Sequence, residues 1–399
     1  MLMIVAIARA KKDAKALSHA LNCKVMSLGG VRSVDDVDLS VLEDSIPIFF
    51  FGRSEAELAE EVEKEIRKIT EVYNVVVLNK KSVRNARLEE IRRAFEIAKA
   101  KIRLGIDLDD VFRFSVSNGF GVEIHPDYDE YFIIGREFVN NLLKLGVNAE
   151  EGSLVLRKLY NEEHIFVPEH KAIIYKRIGN DVSAEIISQA KPKKFEIERL
   201  IEKNKDFLKT LERISIKFIQ QHGEDAVVPF SGGKDSLSCL ILAKKALGSV
   251  KAVYIKTNYD MPLTEEYVDY VCDKLDVELI TEKVYFDVAK YGMPTHENRW
   301  CTNLKIKALH KATKNAKTII VGDRDAESRL RRLRPEVLEN SIKEIFPIKY
   351  WSGAMVQLYI LMNGLELHPL YLKGFYRLGC TICPSLSEWE KWLLNHNFY

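Results

Sequence analysis

The segment Asp225-Ala-Val-Val-Pro-Phe-Ser-Gly-Gly-Lys-Asp-Ser236 concentrates the residue types that could bind a phosphate. Ala226, Val227, Val228 and Phe230 predict a buried strand, broken only by Pro229 near its end. Ser231–Ser236 then turns the chain, and Leu237–Leu247 has helical spacing. A glycine turn between a strand and a helix N-terminus converges backbone N–H groups on one point, where the positive end of the helix dipole favours an anion. Gly232 and Gly233 permit φ > 0 and a close approach of backbone to phosphate. Lys234 adds a point charge, and Ser231 and Ser236 add hydrogen-bond donors. The spacing excludes the Walker loop, which needs four residues between its first Gly and Gly-Lys-Ser/Thr.

Three further clusters follow. The expected strand Lys251–Ile255 ends in Lys256-Thr-Asn-Tyr-Asp-Met-Pro-Leu-Thr264, a turn that faces a ligand if the sheet is doubly wound. The expected strand Thr318–Val321 runs into Gly322-Asp-Arg-Asp-Ala-Glu-Ser-Arg-Leu-Arg-Arg-Leu-Arg334. Asn298-Arg-Trp-Cys-Thr-Asn-Leu-Lys305 supplies Cys301, and Arg377-Leu-Gly-Cys-Thr-Ile-Cys-Pro384 supplies Cys380 and Cys383. A Cys-x-x-Cys with a distant third Cys has metal-ligand spacing. On the residues alone, a three-ligand iron–sulfur cluster, a zinc site completed by another residue, and structural cysteines all stay open.

The Ser231–Ser236 loop resembles the PP-loop, Ser-Gly-Gly-x-Asp-Ser, of the adenine-nucleotide alpha-hydrolase superfamily, where the loop holds the pyrophosphate of ATP. With the later clusters, residues of about 205–390 resemble the phosphoadenosine phosphosulfate reductase family within that superfamily. The family pattern Gly-x-Arg-x-x-Glu-Ser-x-x-Arg matches at Gly322, Arg324, Glu327, Ser328 and Arg331. Its pattern Asp-Thr-Gly…Pro-x-Thr matches at Thr257, Pro262 and Thr264, with Lys256 for the Asp and Asn258 for the Gly. The resemblance implies a nucleotide site of Ser231, Gly232, Gly233, Lys234, Asp235, Ser236, Thr257, Gly322, Arg324, Glu327 and Ser328. It makes Arg324 and Arg331 anion contacts, with Glu327 orienting an arginine. It also implies a [4Fe–4S] cluster on Cys301, Cys380 and Cys383, although the family's Cys-Cys pair is reduced here to Cys301-Thr302. By analogy with tRNA-thiolating PP-loop enzymes, an open iron would carry an exogenous sulfide.

Two departures argue against a true reductase. Those enzymes have a degenerate loop and do not cleave ATP, whereas this loop is intact. The thiol-dependent members use a cysteine near the C-terminus, and Ser387–Tyr399 contains none. The resulting expectation is an enzyme that cleaves ATP to AMP and pyrophosphate, adenylates an acceptor oxygen, and makes that oxygen replaceable by sulfur. Lys234, Asp235, Arg324, Arg331 and Cys301 are the expected catalytic residues, with Asp235 a direct or water-mediated contact to Mg²⁺. The acceptor would be an RNA base, such as one in tRNA, or a small metabolite, with Arg329, Arg332 and Arg334 a basic patch for a second anion. Reduction of adenylyl sulfate or its 3′-phosphate is the alternative, and a non-catalytic nucleotide or RNA sensor the third reading.

The elements that must position these residues fall into three segments. Residues 1–105 alternate strand and helix as a small α/β unit with parallel strands, in which Ser54 and Glu57 would cap a helix. Its charged helix faces read as solvated surface. Residues 106–191 switch to short strands and turns, a mixed β unit with a faint PUA-like rhythm that suggests a closed barrel. Pro192–Gln221 is a long amphipathic lead-in helix, and the doubly wound parallel sheet of the PP-loop unit fills 192–399. A net charge of +2 offers no global attraction to nucleic acid. Scarce Gln beside abundant Lys, Glu and Arg suggests a thermophile. With no signal h-region and no run of membrane-spanning length, the expected location is cytoplasmic. There six cysteines are not a disulfide framework, and Cys23, Cys239 and Cys272 read as small core residues.

Overall fold

The computed structural model describes residues 2–116, 124–158, 164–167, 170–176, 182–189 and 191–398. Three sheets account for most strands. The expected strand Gly121–Ile124 and the Asn118-Gly119 turn lie outside the described residues, apart from Ile124.

The N-terminal sheet has four parallel strands in the order Lys24–Ser27, Ile4–Ala8, Ile46–Gly52, Asn74–Leu78. Ile46–Gly52 is buried along its whole length, as a run of apolar residues covered on both faces must be. The expected cap at Ser54 is not formed: its hydroxyl donates to the Lys81 carbonyl, while Glu55 reaches back to the Gly52 N–H at 3.0 Å. Helix Leu88–Leu104 is not a fully solvated basic face either. Lys99 and Arg103 are buried, Lys99 against Asp325 at 3.2 Å and Arg103 against the carbonyls of Pro126 and Tyr128.

The middle segment is an antiparallel meander rather than a closed barrel. Its strands Tyr128–Phe132, Leu154–Lys158, His164–Val167, His170–Lys176 and Val182–Gln189 pair in sequence order, and among the described residues the first and last do not join. A separate hairpin joins Ile106–Leu108 to Phe112–Phe114. The edge strand Tyr128–Phe132 is covered rather than left open. Gln357 accepts from the Phe132 N–H at 2.9 Å and donates to its carbonyl at 3.1 Å, imitating a strand partner.

The lead-in helix runs Ile197–His222, with Phe195 buried just ahead of it. The sheet it precedes has the order Glu278–Val284, Lys251–Thr257, Ala226–Pro229, Thr318–Ile320, Lys343–Ile345, Val337–Glu339, parallel except for the last strand. This is the expected doubly wound sheet. Strand order reverses beside Ala226–Pro229, so the loop that follows stands at the topological switch point, where such sheets bind ligands. Pro229 is tolerated because pairing with Thr318–Ile320 has already ended at Val227. One contiguous apolar cluster runs from Met3 and Phe50 through Phe112, Phe132 and Leu208 to Leu240, Trp351 and Tyr371. The three segments therefore share a core. No helix among the described residues is long and apolar enough to cross a membrane.

Candidate functional site

Helix Lys234–Leu247 starts at the loop itself, with Gly233 as its N-cap, so Lys234, Asp235 and Ser236 occupy the first turn. Gly232 sits at φ 74°, the left-handed region the turn requires. Ser236 fixes the turn locally: its hydroxyl donates to the Gly233 carbonyl at 2.9 Å and accepts from the Ser231 N–H at 3.4 Å. The Lys234 N–H, one of the donors aimed at an anion, is held by the Tyr371 hydroxyl at 2.9 Å. Gly322 packs directly against the loop. A Cβ there would lie 2.8 Å from the Asp235 carbonyl carbon and 3.0 Å from the Ser236 nitrogen. Glycine lets the end of strand Thr318–Ile320 abut the loop backbone.

Four expected catalytic side chains come together in chains of charge. Asp235 accepts from Lys234 Nζ at 2.7 Å with one oxygen and from Arg324 Nε at 2.6 Å with the other. Arg324, 1% exposed, also donates to Asp129 at 2.8 Å. Asp129 accepts in addition from the Tyr131 hydroxyl at 2.7 Å and the Gly353 N–H at 2.9 Å. Arg331 pairs with Glu327 at 2.5 Å and Asp323 at 3.0 Å. Glu327 also accepts from the Arg324 N–H at 3.0 Å, so it orients an arginine and holds the turn.

Burial pulls the Lys234 ammonium below its usual pKa, against the attraction of Asp235 and with the help of Arg324. Burial alone would raise Asp129 and Asp235, but it is outweighed together by Arg324 with Arg103 and the Gly353 N–H at Asp129, and by Arg324 with Lys234 at Asp235, so both carboxyls are held below the usual range. With both Asp235 oxygens bonded to cations, that carboxylate is a clamp between Lys234 and Arg324.

Asp129 was not foreseen. It belongs to the meander, far from every motif, and a lone Asp beside a turn carries no sequence signal of burial. Ser328 caps the short helix Arg329–Leu333 through the Arg331 N–H at 3.2 Å. Thr257 is bound by Asp260, at 2.6 Å through its hydroxyl and 3.0 Å through its N–H. Of the basic patch, Arg332 is buried and pairs with Asp127, while Arg334 pairs with Asp323 and, like Arg329, is exposed.

Cys301, Cys380 and Cys383 share one apolar cluster with Phe286 and Trp300. They do not form a ligand set: among the described residues no group of three or more His, Cys, Asp or Glu could hold a metal ion. The Cys380 thiol instead meets Lys305 Nζ at 3.1 Å and Thr257 Oγ1 at 3.8 Å. Burial raises its pKa, and Lys305 only partly offsets that. This arrangement fits neither the expected iron–sulfur cluster nor zinc. Cys239 and Cys272 are buried.

A cavity of about 460 Å³ opens between the meander and the loop. Asp129, Tyr131 and Arg157 line it from the meander, Lys234 from the loop, Arg324, Glu327 and Arg331 from the arginine motif, and Tyr376, Arg377 and Ser385–Glu388 from the C-terminal segment. Seven lining side chains are Lys or Arg and three are Asp or Glu. No cysteine lines it. Such a cavity suits a polyanion.

Residues 225–386 match the phosphoadenosine phosphosulfate reductase domain family and fit the PP-loop superfamily. Among individual proteins, an uncharacterized protein of Methanocaldococcus jannaschii is 30% identical over 268 residues, 62% of this chain and 65% of that protein. The adenosine 5′-phosphosulfate reductase of Streptomyces coelicolor is 31% identical over 152 residues, 36% of this chain and 64% of that enzyme. The chain thus spans less than two thirds of the length of either relative. Among solved structures, the U34-tRNA thiolase NcsA of Methanococcus maripaludis with its [4Fe-4S] cluster aligns over 52% of this chain and 80% of that one, at TM-score 0.33 and 15% identity. A likeness of that extent carries no functional weight.

Proposed function

We propose that this protein binds ATP at the Ser231–Ser236 loop and cleaves it to AMP and pyrophosphate, adenylating an acceptor oxygen that is then open to replacement by sulfur. The observation that carries this reading is the intact loop at the switch point, opening with Lys234, Arg324 and Arg331 onto one cavity. An acceptor oxygen attacks the α-phosphorus, the α–β bridge bond breaks, and its electron pair leaves with pyrophosphate. The chain's contribution is electrostatic: Lys234, Arg324 and Arg331 neutralise the leaving group, and Asp235 holds the first two in register before substrate arrives. Mg²⁺ would come with ATP, since Asp129, Asp235 and Glu327 beside the loop are each bonded to a cation.

Reduction of adenylyl sulfate is the second reading, favoured by the name of the Streptomyces relative. It needs a thiol at the sulfonyl sulfur, and the cavity wall offers none. The test is product analysis with the purified chain. Pyrophosphate and AMP from ATP in the presence of total RNA or a metabolite pool support adenylation. Sulfite from adenylyl sulfate with a reductant, and no pyrophosphate from ATP, would replace it with reduction. Tight ATP binding without turnover of either nucleotide would leave a sensor.

A further inference from the structure

The cations that line the cavity differ in their pairing. On the loop side every cation is already bonded to carboxylates: Lys234 to Asp235, Arg324 to Asp129 and Asp235, Arg331 to Glu327 and Asp323. The same cavity is lined by Arg157, from strand Leu154–Lys158, and Arg377, just ahead of the Cys-x-x-Cys. Among the described residues neither guanidinium has a carboxylate within ion-pair distance. Arg157 lies over the Tyr376 ring at 5.2 Å, and its Nε is buried without a hydrogen-bond partner. Arg377 reaches the Ser385 carbonyl at 3.4 Å, a long and weak contact.

The obvious partner, Glu390, is occupied elsewhere. One of its oxygens accepts the N–H groups of Tyr376 at 3.3 Å and Arg377 at 3.1 Å. The other accepts the Ser387 N–H and hydroxyl, each at 3.0 Å. Glu390 therefore fixes the backbone that carries Arg377 and leaves both guanidinium groups facing the cavity. Burying a guanidinium edge without an acceptor is costly, and the cost is recovered when a ligand brings one. Two arginines facing one space match a phosphate, which can accept from both forks.

We infer that Arg157 and Arg377 form a phosphate subsite in the cavity beside the loop, and that the acceptor of the proposed adenylation is a phosphorylated molecule held there. The inference rests on the ATP reading for the word acceptor, but not for the subsite. It also gives the meander a part in ligand binding, since Arg157 lies outside the matched domain of residues 225–386.

The test uses the full chain and inorganic phosphate as probe, titrated by calorimetry with the ATP analogue AMPCPP saturating. Arg157→Gln and Arg377→Gln should each weaken phosphate binding about tenfold or more, as loss of a charge-assisted bond implies. Neither should move AMPCPP affinity by more than about twofold. Arg157→Lys, which keeps the charge over Tyr376, should recover part of the phosphate affinity and guards against a folding defect. Lys234→Ala should do the reverse, losing AMPCPP while keeping phosphate. Unchanged phosphate affinity in Arg157→Gln overturns the subsite, and so does a parallel loss of AMPCPP, which would assign Arg157 to the nucleotide's own phosphates. If the wild-type chain fails to bind AMPCPP yet binds phosphate through Arg157, the ATP reading falls and the subsite stands. Competition by glycerol 3-phosphate points to a small phosphomonoester, and competition by an oligoribonucleotide without terminal phosphates to an RNA backbone. Competition by neither would overturn the assignment to an acceptor.

Discussion

Asp129→Asn gives the sharpest test of how the meander and the loop are joined. Asp129 is 1% exposed and accepts from four donors: Arg324 Nη1, the Tyr131 hydroxyl, and the N–H groups of Gly353 and Glu130. One oxygen serves Arg324 and Tyr131, the other serves the two backbone groups. Asparagine must place its NH₂ at one of these positions, so two donors lose their acceptor whichever way the amide turns. The ion pair is lost as well, leaving Arg324 only Asp235. Removing one partner of a buried pair costs about 3–5 kcal/mol, and the surviving Asp235 contact places this change near the lower end. Urea unfolding at pH 7 should therefore show about 3 kcal/mol less stability than the wild type. The sign of the pH dependence follows from Asp129 being held below the usual carboxylate range. Its contribution is complete above the unfolded pKa of about 4 and is lost as pH falls through the folded value, so the gap to Asp129→Asn must close in acid. A gap below about 1 kcal/mol at pH 7, or one that stays constant into acid, would refute the coupling.

Glu130 behaves oppositely: burial pushes its carboxyl up to about 8. Wild-type stability should fall as pH rises from about 4.5 to 8, by up to about 1.4 kcal/mol per pH unit, and Glu130→Gln should remove that slope in urea titrations at several pH values. Gly322→Ala pushes a methyl into the Asp235–Ser236 backbone and should cost about 1–3 kcal/mol with a matching loss of ATP affinity; Gly379→Ala, where a Cβ meets nothing within 4 Å, is the neutral control. Tyr371→Phe frees the Lys234 N–H for an anion. It should lower the stability of the ligand-free chain by about 1 kcal/mol while ATP affinity rises severalfold in calorimetry.

The sequence made legible what depends on short-range pattern. The strand, glycine turn and helix at 225–247 and the parallel N-terminal strands follow from periodicity and turn chemistry within a few residues, and the arginine motif from Gly322 from a resemblance carried by a short run. What it concealed depends on partners distant in the chain. Nothing near Asp129 announces that Arg324 will bury it, and nothing near Lys99 announces Asp325, more than two hundred residues away. The basic run Arg329–Arg334 reads as a free patch until Asp127 and Asp323 are placed beside it. The three cysteines have ligand spacing along the chain, yet in the fold the Cys380 thiol is taken by Lys305. Spacing constrains which residues can meet; it does not say which competing partner meets them first.

That distinction bears on how the three segments act together. Behind the arginine motif, Asp325 receives Lys99 from the N-terminal unit at 3.2 Å and Lys349 at 2.5 Å, and Lys349 donates onward to the Arg331 carbonyl at 2.8 Å. Ahead of it, Asp129 of the meander fixes Arg324. The arginine motif is thus held from both sides by residues outside residues 225–386. Its guanidinium groups are held by fixed carboxylates before any nucleotide arrives, which is the condition under which electrostatic stabilisation needs no reorganisation during the reaction. The same contacts close the cavity with Tyr131 and Arg157, so whatever second molecule enters meets a wall that the family domain does not itself possess. Under the proposed function, the meander takes part in substrate choice through Asp129, Tyr131 and Arg157.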